Sequence, residues 1–159
     1  MFISAIGQDS HRFEHQDSKK PLTLAGVEIP GCPGLEGNSD ADVVLHAITN
    51  ALSGISGVNI LGAVSDRLCL EEGITDSRAY LKKALQTMEG FRINHVSVSV
   101  EALRPHLSKH IPSLKQSVAE LLSISVQQVG FTATTGEGLS AFGRGEGIQA
   151  LVIVSVQKL

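Results

Sequence analysis

Two acids and a histidine open a predicted helix in the segment Gly37–Ala47. Asp42 and His46 are four residues apart, so in a helix they share one face. A carboxylate in that position can accept a hydrogen bond from one imidazole nitrogen and leave the other nitrogen free for a metal. Ser39 and Asp42 have the spacing of a capping box, and Asp40 suits the positive end of the helix dipole. The pattern predicts that Asp42 orients His46 and that Asp40 serves the helix start; an ordinary capped helix is the alternative.

A second pair of candidate ligands follows the first predicted strand. Asp9 and His11 are two residues apart, so in extended chain they project to the same side. Together with His46 they offer one carboxylate and two imidazoles, which suits Zn²⁺ and leaves a fourth position for water or a substrate oxygen. Such spacing also occurs by chance. The segment Thr134–Glu137 supports the prediction of a metal or phosphate site, because its hydroxyl and carboxylate groups can bind phosphate or a divalent cation. Strand propensity also explains the threonines.

Composition limits the class of protein. The chain has 159 residues, a formal net charge of −3 and 42% hydrophobic residues, which predicts one domain over residues 1–159. Its 13 Lys and Arg are scattered, so nucleic acid is not an expected partner. Without an apolar run of about 20 residues or a signal-peptide core, we expect a cytoplasmic protein with no membrane partner. Cys32 and Cys69 match no metal or redox spacing and are predicted to be free thiols.

The elements that must position the candidate ligands follow from hydrophobic periodicity. Strands are predicted at Met1 to Ile6, Asn94 to Ala102, Val126 to Thr135 and Ile148 to Val156, with a short hairpin at residues 22–30. Helices are predicted within residues 39–57, 75–90 and 110–122. Residues 59–73 lack a clear period and are predicted to be a loop. This order indicates an α+β fold, a mixed β-sheet with helices packed on one face.

The motifs resemble those of the 2-C-methyl-D-erythritol 2,4-cyclodiphosphate synthase family, in the family's order and over essentially the whole chain. The matching pieces are Asp9–Phe13, Leu24–Pro30, Ser39–Ala47, Asp76–Arg78, His110–Pro112, Ala133–Thr135 with Glu137, and Gly143–Ile148. The resemblance implies a divergent homotrimer with active sites at the subunit interfaces. It also implies cyclisation of 4-diphosphocytidyl-2-C-methyl-D-erythritol 2-phosphate with release of CMP, in non-mevalonate isoprenoid biosynthesis. A catalytically impaired trimer that binds an isoprenoid diphosphate is the alternative.

The resemblance also implies roles for individual residues. It assigns Zn²⁺ to Asp9, His11 and His46, and Mg²⁺ or Mn²⁺ to Glu137 against the substrate diphosphate. The catalytic positions fall on Asn38, Thr135 and Asp42. Substrate contacts fall on Asp9, Ser10, His11, Asn38, Ser39, Gly62, Ala102, Pro105, His106, Thr134, Thr135, Gly136, Glu137 and Arg144. Arg144 and Glu146 fall where the family lines a cavity on the trimer axis, which accepts a diphosphate-bearing lipid.

The chain departs from the family pattern in its substrate loops. Asn38 stands where the family usually has His, and it can hydrogen-bond a phosphate without carrying a positive charge. The segment Ile60–Asp66 differs where the family contacts the erythritol hydroxyls, and Arg104–His106 replaces the usual Ala-Pro-Lys of the cytidine loop. Gly136 occupies the position where the family usually has a third Thr. The resemblance therefore predicts an intact metal site beside altered substrate loops.

Overall fold

The structure is a computed structural model that describes residues 1–159. Its strands are β1 (Phe2–Arg12), β2 (Pro21–Leu24), β3 (Val27–Pro33), β4 (Phe91–Glu101), β5 (Val129–Thr134) and β6 (Gly147–Lys158). Its helices are α1 (Val43–Ser56), α2 (Ala63–Leu70), α3 (Ser77–Gln86) and α4 (Ile111–Leu122), and a 3₁₀ turn at Val126–Gln128 precedes β5. None of these helices combines the length and apolar character needed to cross a membrane.

The main sheet has four strands in the order β1-β6-β4-β5. β6 runs antiparallel to both of its neighbours, whereas β4 and β5 are parallel, which confirms the predicted mixed sheet. Strands β2 and β3 form the separate predicted hairpin. Alternate residues of β4 and β6 are buried under the helices, as at Val98 and Val152, while Leu151 and Ile153 on the opposite face are exposed. The helices therefore cover one face of the sheet and leave the other face bare.

Helix α1 lies directly on β1 because β1 has no side chain at the point of contact. A Cβ atom at Gly7 would overlap the carbonyl oxygen of Ala47 and lie 2.5 Å from the backbone nitrogen of Ala51. The close approach places the second turn of α1 over the middle of β1. Helix α1 belongs to a hydrophobic cluster of 36 buried residues, and Ile3 of β1 packs against this cluster.

Three predictions of local structure are wrong. The strand predicted from Val126 begins at Val129, after the 3₁₀ turn. The prediction of a loop at residues 59–73 is contradicted by α2; this helix is short and buries just Ser65 and Leu68, so its sequence carries no strong apolar period. The first strand is longer than predicted and continues to Arg12. It therefore includes Asp9 and His11, which confirms that these two residues are extended and share a face.

Candidate active site

Strand β1 and helix α1 bring three candidate ligands together. Oδ2 of Asp9 lies 3.1 Å from Nε2 of His11 and 3.0 Å from Nδ1 of His46. One ligand atom from each of the three residues lies within 4.8 Å of the others. The side chain of His46 is 10% exposed and that of His11 is 27% exposed, so the cluster is buried on the α1 side and open on the other.

The Asp9 carboxylate and the His11 imidazole each favour the charged form of the other. Burial alone would raise the pKa of Asp9, but hydrogen bonds from His11 and His46 outweigh it and hold that pKa below its ordinary value. The hydrogen bond to Asp9 raises the pKa of His11 against the opposing effect of burial. Two imidazole nitrogens and a carboxylate oxygen that converge on one point are a donor set that fits Zn²⁺ or a similar divalent cation.

Asp42 does not orient His46, so that prediction is wrong. Its Oδ1 accepts hydrogen bonds from the backbone nitrogens of Ala25 at 2.9 Å and Leu45 at 3.0 Å, and its Oδ2 accepts from Gly26 at 2.7 Å. Asp42 is the N-cap of α1, and an N-cap side chain turns back toward the free N–H groups of the first turn rather than along the helix. The carboxylate joins the β2–β3 turn to the start of α1.

The residue that contacts the far nitrogen of His46 is Ser77. Nε2 of His46 lies 2.8 Å from Oγ of Ser77. The Ser77 hydroxyl in turn donates to Oδ1 of Asp40, and the Ser77 backbone nitrogen donates to Oδ2 at 3.0 Å. Asp40 also contacts the helix start as predicted, because its Oδ1 accepts from the backbone nitrogen of Asp42 at 3.2 Å, although the N-cap of α1 is Asp42. The sequence includes Ser77 in the matching segment Asp76–Arg78 but does not indicate its contact with His46, because the two residues are 31 positions apart and a serine is common at a helix start.

The Asp9–His11–His46 cluster opens into a cavity of about 360 Å³. Asn38 and Ser39 line the same cavity, so the structure brings five of the predicted site residues together. Helix α2 forms a further wall through Ser65 and Asp66, which belong to the segment where the resemblance places the erythritol contacts, and through Cys69, which the sequence did not indicate. The thiol of Cys69 donates to the carbonyl oxygen of Asn38 at 3.2 Å, and neither cysteine forms a disulfide, as predicted. Gly62 precedes α2 with a φ of 104°.

A second group of predicted residues lines a separate cavity of about 190 Å³. Its lining includes Ala102, Pro105, His106, Thr134 and Thr135. Gly136 and Glu137 lie in the turn that follows β5, where backbone N–H groups of the turn contact the threonine hydroxyls: Gly136 donates to Thr134 and Glu137 to Thr135, both at 3.3 Å. The carboxylate of Glu137 is exposed and has no hydrogen-bond or ion-pair partner.

The two cavities share no lining residue and lie on opposite edges of the sheet. The register aligns Ser10 of β1, Gln149 of β6, Glu101 of β4 and Thr134 of β5 in one row. Both cavities are therefore at the same end of the sheet, but three strand spacings, about 14 Å, separate the outer strands. One chain alone does not bring the Asp9–His11–His46 cluster and Glu137 to the same point.

A third groove, of about 190 Å³, lies beside β1. It is lined by Ser10, Arg12, Phe142 and Glu146 among others. Arg144 forms an ion pair with Glu146, with Nη2 and Oε2 3.3 Å apart. Arg144 and Glu146 come from the turn that precedes β6. They line neither of the other two cavities, but the groove adjoins the cavity of the Asp9–His11–His46 cluster, because His11 lines both.

Comparisons with known proteins agree with this arrangement. Residues 2–157 match the YgbB family. The 2-C-methyl-D-erythritol 2,4-cyclodiphosphate synthase of Chlamydia felis is 46% identical over 154 residues, which are 96% of this chain and 88% of that protein. A solved synthase structure in a CDP-bound form is 30% identical with a TM-score of 0.80 over 98% of this chain and 100% of that one. The bifunctional IspDF of Campylobacter jejuni matches all of this chain with 29% identity and a TM-score of 0.89, but this chain covers 43% of it. The chain therefore belongs to the YgbB family, whose curated members similar to it are 2-C-methyl-D-erythritol 2,4-cyclodiphosphate synthases.

Proposed function

We propose that this protein catalyses the metal-dependent cyclisation of 4-diphosphocytidyl-2-C-methyl-D-erythritol 2-phosphate to 2-C-methyl-D-erythritol 2,4-cyclodiphosphate with release of CMP. The observation that carries the proposal is the Asp9–His11–His46 cluster, which opens into the cavity lined by Asn38 and Ser39. The names of the relatives agree with this activity.

Asp9, His11 and His46 would hold Zn²⁺, because they present two nitrogens and one carboxylate oxygen within 4.8 Å. Glu137 would hold Mg²⁺ or Mn²⁺ against the substrate diphosphate, because its exposed carboxylate offers a hard oxygen ligand with no competing partner. Cations bound at these sites supply positive charge that reduces the repulsion between the anionic reacting groups.

The remaining residues bind and align the substrate. In the reaction the 2-phosphate oxygen forms a bond to the β-phosphorus while the bond from that phosphorus to the α-phosphate oxygen breaks, and the electron pair leaves with CMP. The nucleophile is already an ionised phosphate oxygen, so the protein does not have to remove a proton from it. Asn38 and Ser39 are polar groups beside the metal cluster, and the hydroxyls of Thr134 and Thr135 lie in the second cavity, where they can donate to phosphate oxygens.

We place the active site between copies of the chain in a homotrimer. A diphosphate cannot bridge the two edges of the sheet, which are about 14 Å apart. The bare face of the sheet also exposes apolar side chains, with Phe2 75%, Ile6 66% and Ile153 49% exposed, and an extended apolar patch of this kind indicates a protein interface. Packing these faces around a threefold axis would let the β1 edge of one copy meet the β5 edge of the next.

The cytidine end of the substrate suits the cavity on the β5 edge. That cavity combines backbone and side-chain groups of Ala102, His106 and Thr134 with the apolar side chains of Leu107 and Ile111, as a nucleoside requires. A structure of a relative is described as a CDP-bound form, which supports a cytidine diphosphate substrate here. The axial pocket for an isoprenoid diphosphate at Arg144 and Glu146 stays a prediction from the family resemblance.

The test is incubation of the purified protein with the cytidine-diphosphate substrate and Mg²⁺, with CMP and the cyclic product measured by chromatography and ³¹P NMR. We expect both products in equal amounts, and we expect metal removal with a chelator to stop their release until Zn²⁺ and Mg²⁺ are restored. Substrate that stays intact in the presence of both metals would contradict the proposed activity.

Asp9→Asn tests the metal site, because it keeps the size of the side chain and removes the charge shared by His11 and His46. We expect the variant to lose bound zinc and to release CMP more than about 100-fold more slowly, since the loss of a direct ligand exceeds the effect of an outer residue. The zinc content of the folded variant is measured by atomic emission. Asp17→Asn is the matched control, because Asp17 is an aspartate with a side chain that is 89% exposed. Normal zinc content in Asp9→Asn would overturn the ligand assignment.

A further inference from the structure

We propose that Ser77, held by Asp40, is the positioning residue that presents Nδ1 of His46 to the metal. This inference rests on the proposed metal site at Asp9, His11 and His46. It replaces Asp42 as the partner of His46 with two residues outside the assigned ligand set.

The contacts form a continuous chain from Asp40 to the metal cluster. Asp40 accepts from both the hydroxyl and the backbone nitrogen of Ser77, and the Ser77 hydroxyl lies 2.8 Å from Nε2 of His46. The other ring nitrogen of His46, Nδ1, lies 3.0 Å from Oδ2 of Asp9. Ser77 is 0% exposed and His46 is 8% exposed, so water does not compete for the contact between these two residues.

The proton count along this chain determines the tautomer of His46. A serine hydroxyl has one proton, and an ionised carboxylate can only accept. The Ser77 proton is therefore directed at Asp40, and a lone pair of the Ser77 oxygen faces Nε2 of His46. Nε2 must then carry a proton. Nδ1 faces the Asp9 carboxylate, and its lone pair becomes available to a metal when the metal takes the place of the Nδ1 proton. A metal-bound histidine ordinarily donates its other N–H in this way, and the acceptor fixes the ring orientation.

Neighbouring residues leave Ser77 free for this role. Ser77 is the first residue of α3, where a serine hydroxyl often caps the helix. Here Asp76 is the N-cap and accepts from the backbone nitrogen of Arg78 at 2.9 Å. Asp40 is fixed independently, because its backbone nitrogen donates to the carbonyl oxygen of Thr75 at 2.9 Å. The hydroxyl of Ser77 is therefore not needed for helix capping.

The first test is Ser77→Ala, which removes the acceptor of the Nε2 proton. We expect the dissociation constant for Zn²⁺, measured by competition with a chelating dye, to rise by about 10- to 100-fold, the usual effect of losing an outer partner of a metal ligand. In the Co²⁺-substituted protein we expect the visible absorption bands to shift, because they report ligand geometry. Ser53→Ala is the matched control: Ser53 is a buried serine of α1, with 4% exposure, that contacts none of the three ligands.

Asp40→Asn provides a second test that preserves side-chain volume. An amide at this position can donate to the Ser77 oxygen, which would turn the Ser77 proton toward His46 and favour protonation of Nδ1 instead. We expect weaker Zn²⁺ binding and a changed Co²⁺ spectrum. Wild-type Zn²⁺ affinity and spectra in both Ser77→Ala and Asp40→Asn would overturn the role of Ser77, and the metal site itself would still stand if Asp9→Asn has lost zinc. Retention of zinc by Asp9→Asn as well would instead mean that the proposed metal site is wrong.

Discussion

Asp40 and Asp42 are two residues apart, but their side chains make different contacts. Asp42 is wholly buried, and its oxygens accept three backbone N–H groups that join a turn to a helix. Asp40 contacts Ser77 and through it the metal cluster. The difference arises because α1 begins at Val43, one residue after Asp42. As the N-cap, the Asp42 side chain accepts hydrogen bonds from backbone N–H groups. Asp40 lies in the loop before α1, and its side chain contacts Ser77 of α3.

The burial of Asp42 predicts a pH-dependent stability. Burial raises its pKa to about 6 from the ordinary 3.8, although hydrogen bonds from Leu45, Gly26 and Ala25 oppose the rise. The folded state therefore binds this proton more tightly than the unfolded chain does. The contribution of Asp42 to the free energy of unfolding is largest below about pH 4, falls as the pH rises to about 6, and is constant above, a change of about 3 kcal/mol.

Asp42→Asn isolates this effect, because the amide does not titrate and the other carboxylates are common to both proteins. Urea unfolding at a series of pH values gives the free energy of unfolding of each protein. We expect the value for wild type minus that for Asp42→Asn to decrease between about pH 4 and about pH 6. A difference that increases over this range would mean that the folded-state pKa of Asp42 is lowered rather than raised.

The sequence predicted that Asp9, His11 and His46 come together, but it did not predict the partner of His46. Asp9 and His11 follow the two-residue period of a strand, and this local rule survives folding because β1 is regular through Arg12. The partner of His46 could not be predicted, because the four-residue spacing to Asp42 describes a shared helix face but not the direction of an N-cap side chain. Ser77 approaches from another helix, and no local pattern encodes that contact.

At the scale of elements, the fit of α1 on β1 determines the distance between His46 and Asp9. Periodicity predicts α1 because ten of its residues are buried, but it does not predict which strand it covers. Gly7 allows α1 to cover β1, because the helix backbone contacts the strand at this residue. In contrast, α2 was missed because a helix of eight residues with two buried positions has little periodicity to detect.

Gly7→Ala should therefore disturb both stability and the metal site. The added methyl group would meet the backbone of Ala47 and Ala51, which cannot move without α1. We expect a loss of about 1–3 kcal/mol in the free energy of unfolding and weaker zinc binding, since His46 would move away from Asp9. Calorimetry and dye competition measure the two effects.

Gly130→Ala is the matched control for this prediction. Gly130 is also a strand glycine, but a Cβ atom there would meet the side chain of His95 at 3.5 Å, an ordinary van der Waals contact. We expect unchanged zinc binding and equal or slightly higher stability, because alanine restricts the unfolded chain more than glycine. Similar losses in the two variants would show that the packing at Gly7 is not special.

At the scale of the whole molecule, the sheet order separates the two halves of the proposed active site. The metal cluster lies at the β1 edge, and Thr134, Thr135 and Glu137 lie at the β5 edge or just beyond it. The sequence motifs identify both sets of residues but do not predict the distance between them, because motif order carries no information about which strands are at the edges of the sheet. An active site that needs both sets must combine two copies of the chain.

Mixed oligomers test this requirement. Asp9→Asn damages the β1 edge and Glu137→Gln the β5 edge, so each variant alone should be nearly inactive. In trimers formed at random from equal amounts of both, about one interface in four pairs two intact edges, and we expect CMP release near a quarter of the wild-type rate. Asp9→Asn mixed with His11→Ala is the control, because both changes damage the same edge and no interface is complete. If subunit exchange is verified and neither mixture recovers activity, the site lies within one chain, and the about 14 Å between the outer strands must close by rearrangement of the fold.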